Sequence, residues 1–165
     1  MKLARRKIAA ALFSLIAISV GSLVAGASPA SAASCLYPTF QYFPGSSFPP
    51  SLRYGEVDFS FEACGGSIGS SIARVSREST NATGENLGFF LNGVSIVPNG
   101  SGSYYKDFIG VIGAKTCTPR VGWPCSRSYS FSVQFRVTSD RFGNPQVYES
   151  WRSSSDPGLT LYSTP

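Results

Sequence analysis

Two stretches of the sequence alternate strictly between apolar and polar side chains, as β-strands do when one face is buried and the other solvated. In residues 57–63 every second side chain is apolar. Residues 128–137 repeat the pattern over a longer stretch, with five apolar side chains on one face: Tyr129, Phe131, Val133, Phe135 and Val137. Both stretches predict strands of an antiparallel sheet that covers a core on one side only.

Shorter apolar runs predict further strands at residues 87–91, 94–97, 108–114, 146–152 and 159–162. Asn92 and Gly93 separate the first two runs and predict a tight hairpin, because a type I′ turn needs positive φ at both central residues. Residues 98–100 and 140–145 predict turns, and residues 76–86 predict a polar loop. Helical periodicity is limited to residues 68–75, where we expect one short turn at most.

Many short strands separated by Gly, Pro, Asn and Ser clusters are typical of all-β domains. We therefore predict a disulfide-stapled antiparallel β-sandwich of the immunoglobulin-like kind, with a small barrel as the second choice. No internal repeat or linker divides the chain, so one domain is expected.

The N-terminus has the order of a secretory signal peptide. Basic residues within the first seven positions precede a long apolar stretch, and the small residues Ala30, Ser31 and Ala32 follow it. We predict cleavage that removes residues 1–33 and leaves a secreted, extracellular β-sandwich domain at residues 34–165, without a stable membrane anchor. The alternatives are a permanent anchor helix and a lipid attached at Cys35.

Charge and composition narrow the partner and the chemistry. The formal net charge of +5 includes four basic residues in the predicted signal peptide, so the remainder carries only +1 and nucleic acid is disfavoured as a partner. We expect an extracellular protein or a polysaccharide instead. The chain has no histidine, which excludes Ser-His-Asp and Cys-His catalysis and the commonest zinc sites. No cofactor and no metal are expected.

Four cysteines follow the predicted signal peptide: Cys35, Cys64, Cys117 and Cys125. An even number in an exported chain predicts two disulfides, and three pairings are open. We expect Cys35–Cys64 and Cys117–Cys125, because both pairs close local loops. A metal site built from all four thiolates is the alternative, but their spacing matches no zinc-finger pattern.

The loop between Cys117 and Cys125 is the first candidate site. A disulfide would close it, two prolines would stiffen it, and it contains Arg120 and Trp123. Arg and Trp dominate binding hot spots, and a preordered loop avoids part of the ordering entropy on binding. We therefore predict Arg120 and Trp123 as binding residues. The alternative is that Trp123 folds back to cap the end of the sandwich while Arg120 is solvated.

The second candidate is a row of three carboxylates, two within the predicted strand at residues 57–63 and one just before it. Glu56, Asp58 and Glu62 should project outward, and neighbours two residues apart are roughly 7 Å from each other. That separation suits an inverting glycosidase or a calcium site. A solvated face is the simpler interpretation, since any Glu-x-Asp in a strand has this geometry.

Aromatic residues provide the third candidate. They are dense in residues 37–44, and Tyr104, Tyr105, Tyr148 and Trp151 add further rings that sugars could stack on. We expect most of these rings to fill the core instead. The function predicted first is a secreted, non-catalytic binding protein that acts through loops at one end of the sandwich. The alternatives are a small secreted hydrolase and an envelope-associated structural protein.

Overall fold

The structure is a computed structural model that describes residues 34–164. The predicted signal peptide lies outside the described residues. The elements are β1 (Cys35–Leu36), β2 (Thr39–Ser46), β3 (Gly55–Cys64), β4 (Ile72–Thr80), α1 (Ala82–Leu87), β5 (Phe89–Ser101), β6 (Tyr105–Cys117), β7 (Cys125–Ser139), β8 (Pro145–Ser154) and β9 (Leu159–Ser163). A single 3-10 turn spans Ile68–Ser70, as the short periodic stretch predicted. Within residues 34–164, no helix is long and apolar enough to cross a membrane.

The strands form two antiparallel sheets. In the first sheet, β3 lies between β4 on one side and β1 and β2 on the other, and β9 pairs with β2. In the second sheet, β5, β6, β7 and β8 are neighbours in chain order, which makes it a meander. The predicted all-β sandwich is confirmed. Immunoglobulin domains use Greek-key connections, so the second sheet shares their two-sheet architecture but not their connectivity.

The core lies between the two alternating strands that the sequence predicted. Phe59 and Phe61 point inward from β3, and Phe135 points inward from β7, with ring centroids 5.6 Å and 4.8 Å from the Phe135 ring. Gly110 on β6 makes room for this packing, because a Cβ there would lie 2.7 Å from the Phe59 ring. Both predicted strands are confirmed by this contact between the sheets.

A buried tyrosine forms a polar link across the sandwich. Tyr42 is fully buried on β2, and its hydroxyl donates to Oε2 of Glu149 on β8 at 2.7 Å. Arg152 contacts the same carboxylate at 2.9 Å and donates to the Leu161 carbonyl at 2.8 Å. Burial raises the pKa of Tyr42 well above its ordinary value. The link therefore gives the buried Tyr42 hydroxyl a hydrogen-bond partner, and burial of that hydroxyl without a partner would destabilise the fold.

Both predicted disulfides form. Cys35–Cys64 joins β1 to the end of β3, and Cys117–Cys125 joins the adjacent ends of β6 and β7. In each case the two cysteines are register partners across neighbouring antiparallel strands. The two bonds thus fix one end of each sheet.

The hairpin predicted at Asn92-Gly93 is wrong. β5 runs continuously from Phe89 to Ser101 along β6, and the register shifts between Leu91 and Val94. Gly93 has φ 93° and supplies the left-handed residue that such a bulge needs. The turn predicted at residues 98–100 is likewise part of β5, with a second register shift between Pro98 and Gly100.

The polar loop predicted at residues 76–86 is also wrong. Residues 76–80 belong to β4, an edge strand, and residues 82–86 belong to helix α1. Asn81 caps α1, because its side chain accepts a hydrogen bond from the Gly84 N–H at 2.9 Å. Gly88 ends the helix in the left-handed conformation at φ 72°.

Candidate functional site

The loop between Cys117 and Cys125 leaves the second sheet where β6 ends and returns where β7 begins. The disulfide closes its base. Inside the ring, the Thr118 N–H donates to the Pro124 carbonyl at 3.0 Å, and the Gly122 N–H donates to the Thr118 carbonyl at 2.9 Å. The loop is therefore ordered by its own backbone before any partner is present.

Helix α1 holds the loop from one side. The Arg120 N–H donates to the Glu85 carbonyl at 2.8 Å, and Arg120 Nε donates to Asn86 Oδ1 at 2.9 Å. Gly88 packs directly on the loop, since a Cβ there would lie 2.2 Å from the Cys117 carbonyl oxygen. Arg120 has φ 63°, a left-handed conformation that costs roughly 1 kcal/mol and that these hydrogen bonds stabilise. Arg120 thus positions the loop in addition to any contact with a partner.

The tip of the loop is apolar and open to solvent. Trp123 is 74 % exposed and Val121 is 71 % exposed, on either side of Gly122. The alternative expectation, in which Trp123 folds back to cap the sandwich, is wrong. Leu87 is also exposed, on the helix to which the loop is tied. Sequence reasoning missed Val121, whose signal was its place between the two predicted binding residues.

The carboxylates of β3 do project outward, as predicted, but two of them are held by an arginine. Arg77 Nη1 lies 2.5 Å from Glu56 Oε1, and Arg77 Nε lies 3.9 Å from Asp58 Oδ2. Gln41 also donates to Glu56. Burial and the neighbouring Glu56 raise the pKa of Asp58, while Arg77 and Gln41 act against that rise. Glu62 stands apart, opposite Ile72 at the far end of the strand.

No group of three or more acidic or cysteine side chains within residues 34–164 is arranged to hold a metal ion. The carboxylate row therefore contains one ion-paired cluster and one separate glutamate. Its two close members share Arg77 as a counterion, an arrangement that suits a stable surface network.

The aromatic residues divide into two groups. In the N-terminal stretch, Tyr42 is fully buried and Phe40 packs against the core, as the core interpretation predicted. That interpretation is wrong for Tyr37, which is 65 % exposed, and for Tyr104, which is 80 % exposed just before β6. Tyr105, Tyr148 and Trp151 are instead partly exposed on the outer face of the second sheet, where the core interpretation is wrong. We call these three residues the aromatic face.

Comparison of the chain with protein-family models, with curated proteins and with solved structures found no match. Function is therefore inferred from the geometry of the described residues.

Proposed function

We propose that this chain is an exported, non-catalytic binding protein whose disulfide-closed loop inserts Val121 and Trp123 into an apolar cleft of an extracellular partner protein. The observation that carries the proposal is the contrast within the loop. Its backbone and Arg120 are tied internally and to α1, while Val121 and Trp123 are more than 70 % exposed.

The energetics favour such a contact. Burying one large apolar side chain contributes about 2 kcal/mol, and tryptophan is enriched among the residues that dominate interfaces. Ordering a flexible loop would offset this gain. Because the Thr118 and Gly122 N–H groups are already hydrogen-bonded inside the ring, little ordering remains when the tip is buried.

Export is supported by two observations. The basic, apolar and small-residue segments of residues 1–33 follow the order of a secretory signal, and all four cysteines lie in disulfides. The lack of histidine and the pairing of Glu56 with Arg77 support a non-catalytic role. The hydrolase alternative predicts an activity that Glu56→Gln abolishes, and the envelope alternative predicts no partner that depends on the loop.

The test compares tagged mature protein with its Trp123→Ala variant as baits in the extracellular fraction of the source organism. We expect at least one protein to be retained by the wild type and lost, by about tenfold or more in quantitative mass spectrometry, with Trp123→Ala. Val121→Ser should lower the retained amount of the same protein.

Phe142→Ala is the matched control. Phe142 is 73 % exposed and lies in the turn between β7 and β8, at the opposite end of β7 from the loop. Removing it takes away a similar apolar surface and should leave capture unchanged. If every captured protein is retained equally by Trp123→Ala and by the wild type, the proposed function is wrong.

A further inference from the structure

The aromatic face is assembled from strands that are distant in sequence. Tyr148 on β8 lies beside Arg136 on β7, which in turn lies beside Asp107 on β6. In the neighbouring row, Trp151 lies beside Gln134. All five side chains point away from the core, because the inward positions of β7 are those of Phe131, Val133, Phe135 and Val137.

A β-bulge places both rings of β8 on the same side. Tyr148 and Trp151 are three residues apart, a spacing that would put them on opposite faces of a regular strand. The register shifts between the Gln134 and Phe135 positions, and Ser150 is the extra residue. Its hydroxyl donates to the Gln134 carbonyl at 3.1 Å. The bulge therefore turns Trp151 outward next to Tyr148.

One hydrogen-bond network supports the rings from below. Arg136 donates to both carboxylate oxygens of Asp107 at 2.8 Å, and Gln134 donates to the same carboxylate at 3.4 Å. The Trp151 indole N–H donates to Gln134, and the Arg136 guanidinium lies 4.6 Å from the centroid of the Tyr105 ring. Asp107 is buried beneath this arrangement. The Trp151 and Tyr105 rings are thus positioned before any ligand arrives.

The rings of the aromatic face are less exposed than the loop tip. Tyr105, Tyr148 and Trp151 are 37 %, 44 % and 42 % exposed, whereas Trp123 at the loop tip is 74 % exposed. Each ring of the aromatic face therefore offers part of its surface to solvent, while its neighbours cover the rest. A flat ligand can therefore stack on them, while a cleft in a partner protein would need a projecting side chain.

Charge and dimensions indicate the class of ligand. Asp107 and Arg136 neutralise each other, so the named patch carries no net charge and favours no ionic ligand. Tyr105 and the rings of β8 are two strands apart, about 10 Å, which exceeds the width of one sugar ring. The rings present apolar faces beside the Gln134 amide, which suits a pyranose chain with its C–H faces and hydroxyls.

From this geometry we infer that the outer face of the second sheet, at Tyr105, Tyr148 and Trp151, binds an uncharged polysaccharide by stacking. This site is separate from the loop tip of the proposed function. It would hold the protein on a glycan while the loop engages its partner protein.

Affinity electrophoresis in native gels tests the inference. The uncharged probes are hydroxyethylcellulose, laminarin, glucomannan and dextran, and polygalacturonate is the anionic probe. We expect at least one uncharged probe to retard the wild type. Trp151→Ala and Tyr148→Ala should each weaken that retardation by about tenfold, while Trp151→Phe, which retains a ring, should keep most of it.

Three controls separate the outcomes. Trp123→Ala should be retarded like the wild type, so the glycan site and the loop can fail independently. Urea unfolding of each variant checks that it is folded, and Tyr148→Ala carries the test if Trp151→Ala does not fold. Sedimentation of the wild type reports any pairing of two copies through this face.

The inference is overturned if no uncharged probe retards the protein, or if only polygalacturonate does so. It is also overturned if both ring-to-alanine variants migrate as the wild type does. A dimer that Trp151→Ala dissociates would assign the face to a second copy of the chain instead.

Discussion

Each outer face of the sandwich carries carboxylates paired with an arginine, but water reaches the two clusters to different extents. On the second sheet, the side chain of Asp107 is 8 % exposed and that of Arg136 is 39 % exposed. On the first sheet, the corresponding values are 24 % for Glu56 and 55 % for Arg77. Arg136 makes a two-pronged contact, whereas Arg77 reaches Glu56 closely and Asp58 only at 3.9 Å.

The neighbours across the strands cause this difference. Arg136 lies against the Tyr105 ring and beside Tyr148, and both Arg136 and Gln134 donate to the Asp107 carboxylate. Arg77 lies beside Asp58 across β3 and has no ring partner among the contacts of the described residues. The same pair of charged groups is therefore a fixed support on one face and a solvated surface cluster on the other.

Replacing the arginine on each face should produce the largest difference in stability between the two clusters. Arg136→Met leaves the carboxylate of Asp107 buried without its cation, and we expect a loss of about 2–3 kcal/mol in the free energy of unfolding. Arg77→Met leaves Glu56, the carboxylate that Arg77 contacts closely, in contact with water and should lose less than about 1 kcal/mol. Urea unfolding followed by fluorescence measures both, and equal losses would contradict the comparison.

Double-mutant cycles at two salt concentrations give a smaller but more specific effect. The coupling between Asp107 and Arg136 should be about 1–2 kcal/mol and should persist in about 1 M NaCl, where the Debye length is about 3 Å. The coupling between Glu56 and Arg77 should be below about 0.5 kcal/mol and should vanish in the same salt. If salt weakened the coupling between Asp107 and Arg136 but not the coupling between Glu56 and Arg77, the buried cluster would be the one on the first sheet.

The smallest expected effect is a difference in pH dependence between two aspartates. Burial and Glu56 raise the pKa of Asp58 above its ordinary value of 3.8, so its ionised form lowers stability at neutral pH. This penalty disappears as the pH falls through the raised folded pKa towards the unfolded one. The change in the free energy of unfolding caused by Asp58→Asn should therefore be more stabilising at about pH 7 than at about pH 3.

Asp140 provides the control of opposite sign. Hydrogen bonds from the side chain and backbone of Asn144 lower the pKa of Asp140, so its ionised form stabilises the fold above the ordinary value of 3.8. That stability is lost as the pH falls through the lowered folded pKa. Asp140→Asn should therefore be more destabilising at about pH 7 than at about pH 3. Urea unfolding across this pH range measures the stability of both variants. The argument is contradicted if Asp58→Asn and Asp140→Asn show the same pH dependence.

Sequence reasoning succeeded where the signal was local and repeated. The alternation at residues 57–63 and 128–137 predicted β3 and β7, because the period of a strand is independent of its partner. The disulfide pairing followed from short separations along the chain. The hairpin prediction at Asn92-Gly93 was wrong because its signal was ambiguous. A residue with positive φ suits a β-bulge as well as a turn, and the pairing of β5 along β6 selects the bulge.

The candidate surfaces were only partly accessible from sequence. The residue type of Trp123 and its place in a disulfide loop indicate a binding residue. Its exposure also depends on α1, which anchors Arg120 and which the polar pattern of residues 76–86 does not predict. For Tyr148 and Trp151, the sequence indicates two rings and favours a place in the core. Their common orientation depends on register, which no pattern within β8 specifies.

The bulge at Ser150 lets β8 contain one residue more than the stretch of β7 that it pairs with, while the side chains on both sides of it keep their facing. Deleting that single codon would leave Tyr148 and Trp151 two residues apart, a spacing that keeps both rings on one face of a regular strand. A gene that gained or lost this codon would therefore retain its outward rings and change mainly the local twist of the strand. Related genes that differ by one codon at this point should differ in surface chemistry less than an insertion inside a strand usually implies.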